Sequence, residues 1–173
     1  MDSIASKASV SKRTLYKHFP SKRALLDEIL LYLIGLSQQN IKLEYDSNLN
    51  LKDQWVDVVT QKVSSMLEPQ HIKLGKIILS ELLKNESCIG HEEFEKVLRS
   101  ESSVLVFIKH AQEDHKISKF HDKYHVVDML QQLINGIIFF PVLFGKKSEA
   151  SSQDIEFIAS CLCSHFSVET SPN

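Results

Sequence analysis

Glycine and proline are scarce in this chain, five and four among 173 residues, which leaves little material for the tight turns that an all-β fold needs. Leu, Ile, Lys, Glu, Ser and Gln dominate instead, so helices are the expected element. Cysteine is scarcer still. Cys88, Cys161 and Cys163 cannot all pair within one chain and form no cluster, which excludes a disulfide scaffold and points to a reducing, cytoplasmic setting. No charged-then-apolar leader opens the sequence, so nothing there marks it for export. Uninterrupted apolar runs are missing too. The most apolar stretch, 126–144, contains Asp128, Gln131, Gln132 and Asn135, whose transfer into a bilayer would be costly, and it reads as a buried helix rather than a membrane span.

Catalytic patterns are also lacking. There is no nucleophile elbow, no glycine-rich phosphate loop and no paired catalytic carboxylates, so no catalytic residue is assigned and an enzyme is not expected. What remains is an ordinary composition for a folded domain, 43% hydrophobic and 24% charged, in a chain long enough for a proper core.

The net charge of −2 is unevenly spread. Residues 1–35 carry Lys7, Lys12, Arg13, Lys17, Lys22 and Arg23 against Asp2, Asp27 and Glu28, a local balance of +3, while the remainder carries −5. A basic head on an acidic body suits a nucleic-acid reader with a separate body.

Helical periodicity recurs along the chain. Ile4, Ala5 and Ala8 share one face of a short first helix, ended by Ser9 and Val10. Ser11 is a good N-cap for a second, in which Leu15 and Phe19 form an i, i+4 stripe. Pro20 stops that helix and Ser21 caps a third, expected to run from Lys22 toward Tyr45. After a polar loop at 46–50, helices are expected at 51–67, ending before Pro69, and at about 72–85, 92–116, 121–144 and 152–166. The fold class is therefore all-α, with a domain at 1–35 joined to a helical bundle at 36–173.

Two short helices joined by a tight turn, the second studded with Lys, Arg, Thr, Tyr and His, have the layout of a helix-turn-helix. Lys and Arg neutralise phosphates and reach guanine edges, Thr touches a phosphate or a thymine methyl, and Tyr and His donate to phosphate oxygens. The start of the third helix offers free N–H groups beside Lys22, suited to a phosphate.

The segment IASKASVSKRTLYKHFPSKRALL, 4–26, resembles the DNA-binding motif of the TetR family of transcriptional repressors, whose usual form is close to IA-x-x-AGVS-x-x-TLY-x-HF-x-SK-x-x-LL. By that resemblance Lys12, Arg13, Thr14, Tyr16, Lys17, His18 and Lys22 are the DNA-contacting residues, and Leu15 and Phe19 are core. The family's turn glycine is Ser9 here, at an expected cost of about 1 kcal/mol if the position is left-handed. Family members carry a full helix ahead of this motif, whereas three residues precede Ile4; that helix would cover Ile4, Val10, Leu15, Phe19 and Leu25. The resemblance implies a homodimer through the last two helices, double-stranded palindromic operator DNA as partner, and a small-molecule effector held in the body. The alternative is a dimeric small-molecule-binding or interaction module that no longer binds DNA.

In such a body Trp55, Met66, Phe94, Phe107 and Phe139 are candidates for the effector pocket, and their character favours an apolar or aromatic ligand. No other cofactor is implied. His110, His115, His121 and His125 lie among Glu113, Asp114 and Asp122; a polar connection between helices explains them better than a metal site. Cys161 and Cys163, two apart on a helix, point to nearly opposite sides and make a poor ligand pair.

Overall fold

The computed structural model describes residues 1–39, 41–82 and 103–168. These residues are helical apart from their connections and a single bridge pairing Ile117 with Ser167. They fall into two compact units, one spanning Met1–Leu36 and the other holding the rest of the described chain.

The first unit holds α1 (Asp2–Lys7), α2 (Lys12–His18) and most of α3 (Lys22–Gln39). Helices α1 and α2 pack together, with Ala5 and Leu15 as the buried residues. The second unit comprises α4 (Leu51–Met66), α5 (Pro69–Leu82), α6 (Ser103–Glu113), α7 (Lys123–Leu143) and α8 (Ser152–Phe166). Side-chain caps start three of them. Asn50 accepts from the Lys52 amide, Asp122 from the amides of Tyr124 and His125, and Ser151 forms a capping box with Asp154, each satisfying N–H groups that a helix start leaves free.

The core of this unit is a three-helix seam. Helix α8 lies against α4 and α7, and α6 packs on α7. From α8 come Ile158, Ala159, Leu162 and Phe166, from α4 Trp55, Val58, Val59 and Val63, and from α7 Val126, Leu130, Ile134 and Ile138. By length and composition alone α7, with a mean hydropathy of 1.6 over its most apolar window, is able to cross a membrane. Its burial is one-sided, however, since Asp128 and Gln132 are exposed opposite the core stripe.

The structure departs from the sequence-based expectations in three places. The helix begun at Lys22 does not reach Tyr45, because 41–46 is non-helical. Ile41 is buried and Leu43 and Tyr45 pack on the core while Lys42 and Glu44 face solvent, so IKLEY has period two. Gln61 accepts from the Lys42 amide and the Tyr45 hydroxyl donates to Asp114, which fix this extended segment. Pro69 opens α5 instead of merely ending α4; at the first helical position its missing N–H would be unpaired anyway. The helix expected at 92–116 is described only from Ser103.

The third departure lies within α7. Pro141 cannot donate to the Ile137 carbonyl and its ring crowds that oxygen. The chain widens into a π turn at Asn135–Phe139, and Lys147 donates to the freed Ile137 oxygen at 3.1 Å. The same ammonium reaches Asp154 at 2.7 Å, tying the π turn to the start of α8.

The Lys147 hydrogen bond, aided by Ser151 and opposed by desolvation, holds the Asp154 carboxyl below its ordinary value. A depressed folded value gives stability that is present above the unfolded carboxylate value and is lost as pH falls through the folded one. Asp154→Asn should therefore cost about 1 kcal/mol at pH 7, or about 2–4 °C in Tm. The gap from the wild type should close as the pH falls below the ordinary carboxylate value and on through the lowered one of the folded state. Thermal melts across pH check both.

Candidate nucleic-acid interface and effector site

The turn between α1 and α2 is built by backbone bonds. Ser9 N–H donates to the Ser6 carbonyl and Val10 N–H to the Ala5 carbonyl at 3.0 Å, the paired bonds of a Schellman cap. Ser9 sits at the left-handed position with φ 55°, where a Cβ costs about 1–2 kcal/mol. This chain closes α6 in the same way. There His115 has φ 58°, and the amides of His115 and Lys116 donate to the carbonyls of Gln112 and Ala111. Of the left-handed positions among the described residues only the third, after α7, uses a glycine, Gly145, with φ 72°.

Ser11 then starts α2. Its side chain accepts from the Thr14 amide at 3.0 Å and shares a 2.7 Å hydrogen bond with the Thr14 hydroxyl. Of the seven residues of α2 only Leu15 is buried; Lys12, Arg13, Thr14, Tyr16, Lys17 and His18 are all exposed. Ser21 accepts from the Ala24 amide at the start of α3, beside the exposed Lys22. The seven residues expected to contact DNA are thus all exposed, six on one capped helix and the seventh at the next helix start.

Lys12 is engaged. Its ammonium stands 2.8 Å from Asp2, and this contact raises the lysine and lowers the aspartate from their ordinary values. The apolar residues around α2 are unevenly covered. Val10 is 40% exposed, Ile4, Phe19 and Leu25 are half-buried, and Leu15 is buried.

In the second unit the expected effector-site residues part into two groups. Trp55 and Phe107 are fully buried and meet edge to face at 5.3 Å, and Tyr45 also meets Phe107 edge to face, at 5.7 Å. Met66 lies eleven residues further along α4, about 16 Å at the helical rise. It receives the Gln131 amide from α7. Phe139, two turns on, lies against Gly75 of α5, where an added Cβ would stand 3.1 Å from its Cζ. Phe94 lies outside the described residues.

Sequence reasoning singled out nothing on α5, yet His71 is notable there. Its Nδ1 donates to the Ser65 carbonyl at 2.6 Å, and its Nε2 is buried with no partner. Only its position just after Pro69 could have drawn notice. His121 and His165 lie ring to ring at 5.4 Å, both against the edge or face of Phe166. Among the described residues no three His, Cys, Asp or Glu side chains gather as a metal site. Cys161 and Cys163 are free thiols.

Relief of the left-handed strain is measurable at both caps. Ser9→Gly should stabilise the first unit by about 1 kcal/mol, slowing amide exchange in α1 and α2 about fivefold. His115→Gly should raise the Tm of the second unit by about 2–4 °C.

Comparison with known proteins bears on both units. Residues 1–29 match the family model of bacterial regulatory proteins, tetR family. The HTH-type transcriptional regulator SrpR of Pseudomonas putida is 22% identical over 139 residues, a match covering 80% of this chain and 63% of SrpR. The chain thus spans less than two thirds of that relative. TtgW, an HTH-type transcriptional regulator also from Pseudomonas putida, is 26% identical over 109 residues, 63% of this chain and 75% of TtgW. The crystal structure of a TetR family transcriptional regulator from Pseudomonas syringae pv. tomato matches with a TM-score of 0.64 at 23% identity, over 96% of this chain and 82% of that one. The opening segment thus matches the tetR family model over residues 1–29, and the helices share the fold of a solved TetR family transcriptional regulator.

Proposed function

We propose that the chain is a ligand-responsive transcriptional repressor that binds palindromic operator DNA as a homodimer. The observation that carries this reading is α2, a capped helix with one buried residue and six exposed polar or basic ones. On this reading α2 enters the major groove, with Arg13 reading a guanine edge and Thr14 a thymine methyl or phosphate. Lys12, Tyr16, Lys17, His18 and Lys22 hold the backbone, Lys12 exchanging Asp2 for a phosphate.

The dimer would form through α7 and α8. Phe140, Phe144 and Phe157 are exposed at 41%, 57% and 58%, and Gly136 has open space around its Cβ position, which suits the close approach of a second copy. An apolar or aromatic effector in the second unit would shift the population toward a dimer geometry that no longer matches two successive grooves.

A second reading, a dimeric effector-binding module without DNA affinity, is favoured by the apolar residues around α2, where Val10 is exposed and Ile4, Phe19 and Leu25 are only half-buried.

Selection from a random duplex pool separates the two. The repressor reading expects a palindrome with half-sites about one DNA turn or somewhat more apart; absence of sequence preference at every salt concentration would leave the second reading. On the selected site, Lys22→Ala should weaken binding to all sequences alike and reduce the salt slope by about 1, whereas Arg13→Ala should also relax base preference.

A further inference from the structure

The second unit holds two buried polar atoms without partners among the described residues, Trp55 Nε1 and His71 Nε2. They differ in setting. The Trp55 indole is enclosed by core residues, with Phe107 as its aromatic neighbour. His71, at the start of α5, is bonded to the end of α4 through the Ser65 carbonyl. On α5 it shares a face with Gly75, one turn on, and Gly75 lies against Phe139 of α7. Asn135 and Gln131 precede Phe139 at successive turns of α7 and are joined by a 3.0 Å hydrogen bond, while the same Gln131 amide reaches Met66 of α4.

The tautomer of His71 is fixed by its partner. A carbonyl oxygen only accepts, so Nδ1 carries the proton donated to Ser65. In the neutral ring Nε2 then presents a lone pair, and a buried acceptor left unpaired is a standing cost that a donor would relieve. We propose that His71, Met66, Gln131, Asn135 and Phe139 line the effector site, and that Nε2 of His71 accepts a hydrogen bond from the hydroxyl of a phenolic ligand. The proposal rests on the reading of this unit as an effector-binding body, and it sharpens the class from apolar or aromatic to phenol.

The walls select an aromatic ring. Phe139 offers a π face or edge and Met66 a polarisable thioether, both of which pack well against one.

Three probes of like shape test this by calorimetry on the full chain: 2-naphthol, 2-methoxynaphthalene and naphthalene. The expected result is that 2-naphthol binds at least tenfold more tightly than its methyl ether, which cannot donate. In His71→Asn, whose amide can still donate to the Ser65 carbonyl, the preference should fall to within about threefold. A measurement on the unaltered chain keeps the test independent of that variant's folding. The His71 ¹⁵Nε2 resonance should move on adding 2-naphthol and stay in place with the ether. Equal binding of all three probes, with Nε2 unmoved, would overturn the phenol inference and leave the effector-binding body intact. Binding of none would overturn both.

Discussion

Ile158, Ala159, Leu162 and Phe166 on α8 have no solvent exposure, and the stripes they press against come from α4, the first helix of the second unit, and from α7. Each of the larger side chains contributes about 1.5–3 kcal/mol on burial. The contact joins helices about a hundred residues apart in sequence, so the chain between them is held at both ends. Around the same residue the Ser118 amide donates to the Phe166 carbonyl at 2.9 Å and Ile117 bridges Ser167, so the connection leaving α6 is tied to the end of α8. Loss of that seam would release α4, α7 and the connection together.

Within that frame Pro141 sets which residues α7 turns outward. The buried positions 126, 130, 134 and 138 follow one another every four residues, and the next, Leu143, comes five later. The extra residue is accommodated by the π turn, and Gly136, Phe140 and Phe144 stay on the exposed side. The same proline frees the carbonyl that Lys147 satisfies, so the distortion of α7 and the start of α8 share one ammonium. A single residue thus shapes both the inner and the outer faces of this helix.

Helix starts were the most legible feature, because Ser11 and Ser21 announce themselves by hydrogen-bonding chemistry that needs no tertiary context. The segment IKLEY was not legible. Its alternation is only five residues long, and following a strong helical pattern it reads as one more turn; burial of Ile41, Leu43 and Tyr45 against a remote core decided the matter. The cap at Ser9 was readable from the resemblance, whereas the one at His115 was hidden by the absence of glycine, since its backbone is held left-handed by bonds to the preceding helix. For the site residues, the exposed basic set was readable by type and spacing. The aromatic set was not, since Trp55 and Phe107 are as useful to a core as to a ligand. The structure packs them against each other and leaves Met66 and Phe139 elsewhere.

The first unit is balanced differently from the second. Among its described residues Ala5 and Leu15 are the buried hydrophobic ones, and the Schellman bonds at Ser9, the Ser11 cap and the Lys12–Asp2 pair add to its order, with the cap worth about a kcal/mol and the exposed pair little. Against these stand the charges of Arg13, Lys17 and Lys22, exposed around the same short helix, whose mutual repulsion opposes the compact form. A row of phosphates would remove that repulsion and add a partner for each cation. An anion that binds the ordered unit better than the disordered one stabilises it by mass action. The basic side chains exposed around α2 would then oppose the ordering of this unit when it is free and favour it beside an anion.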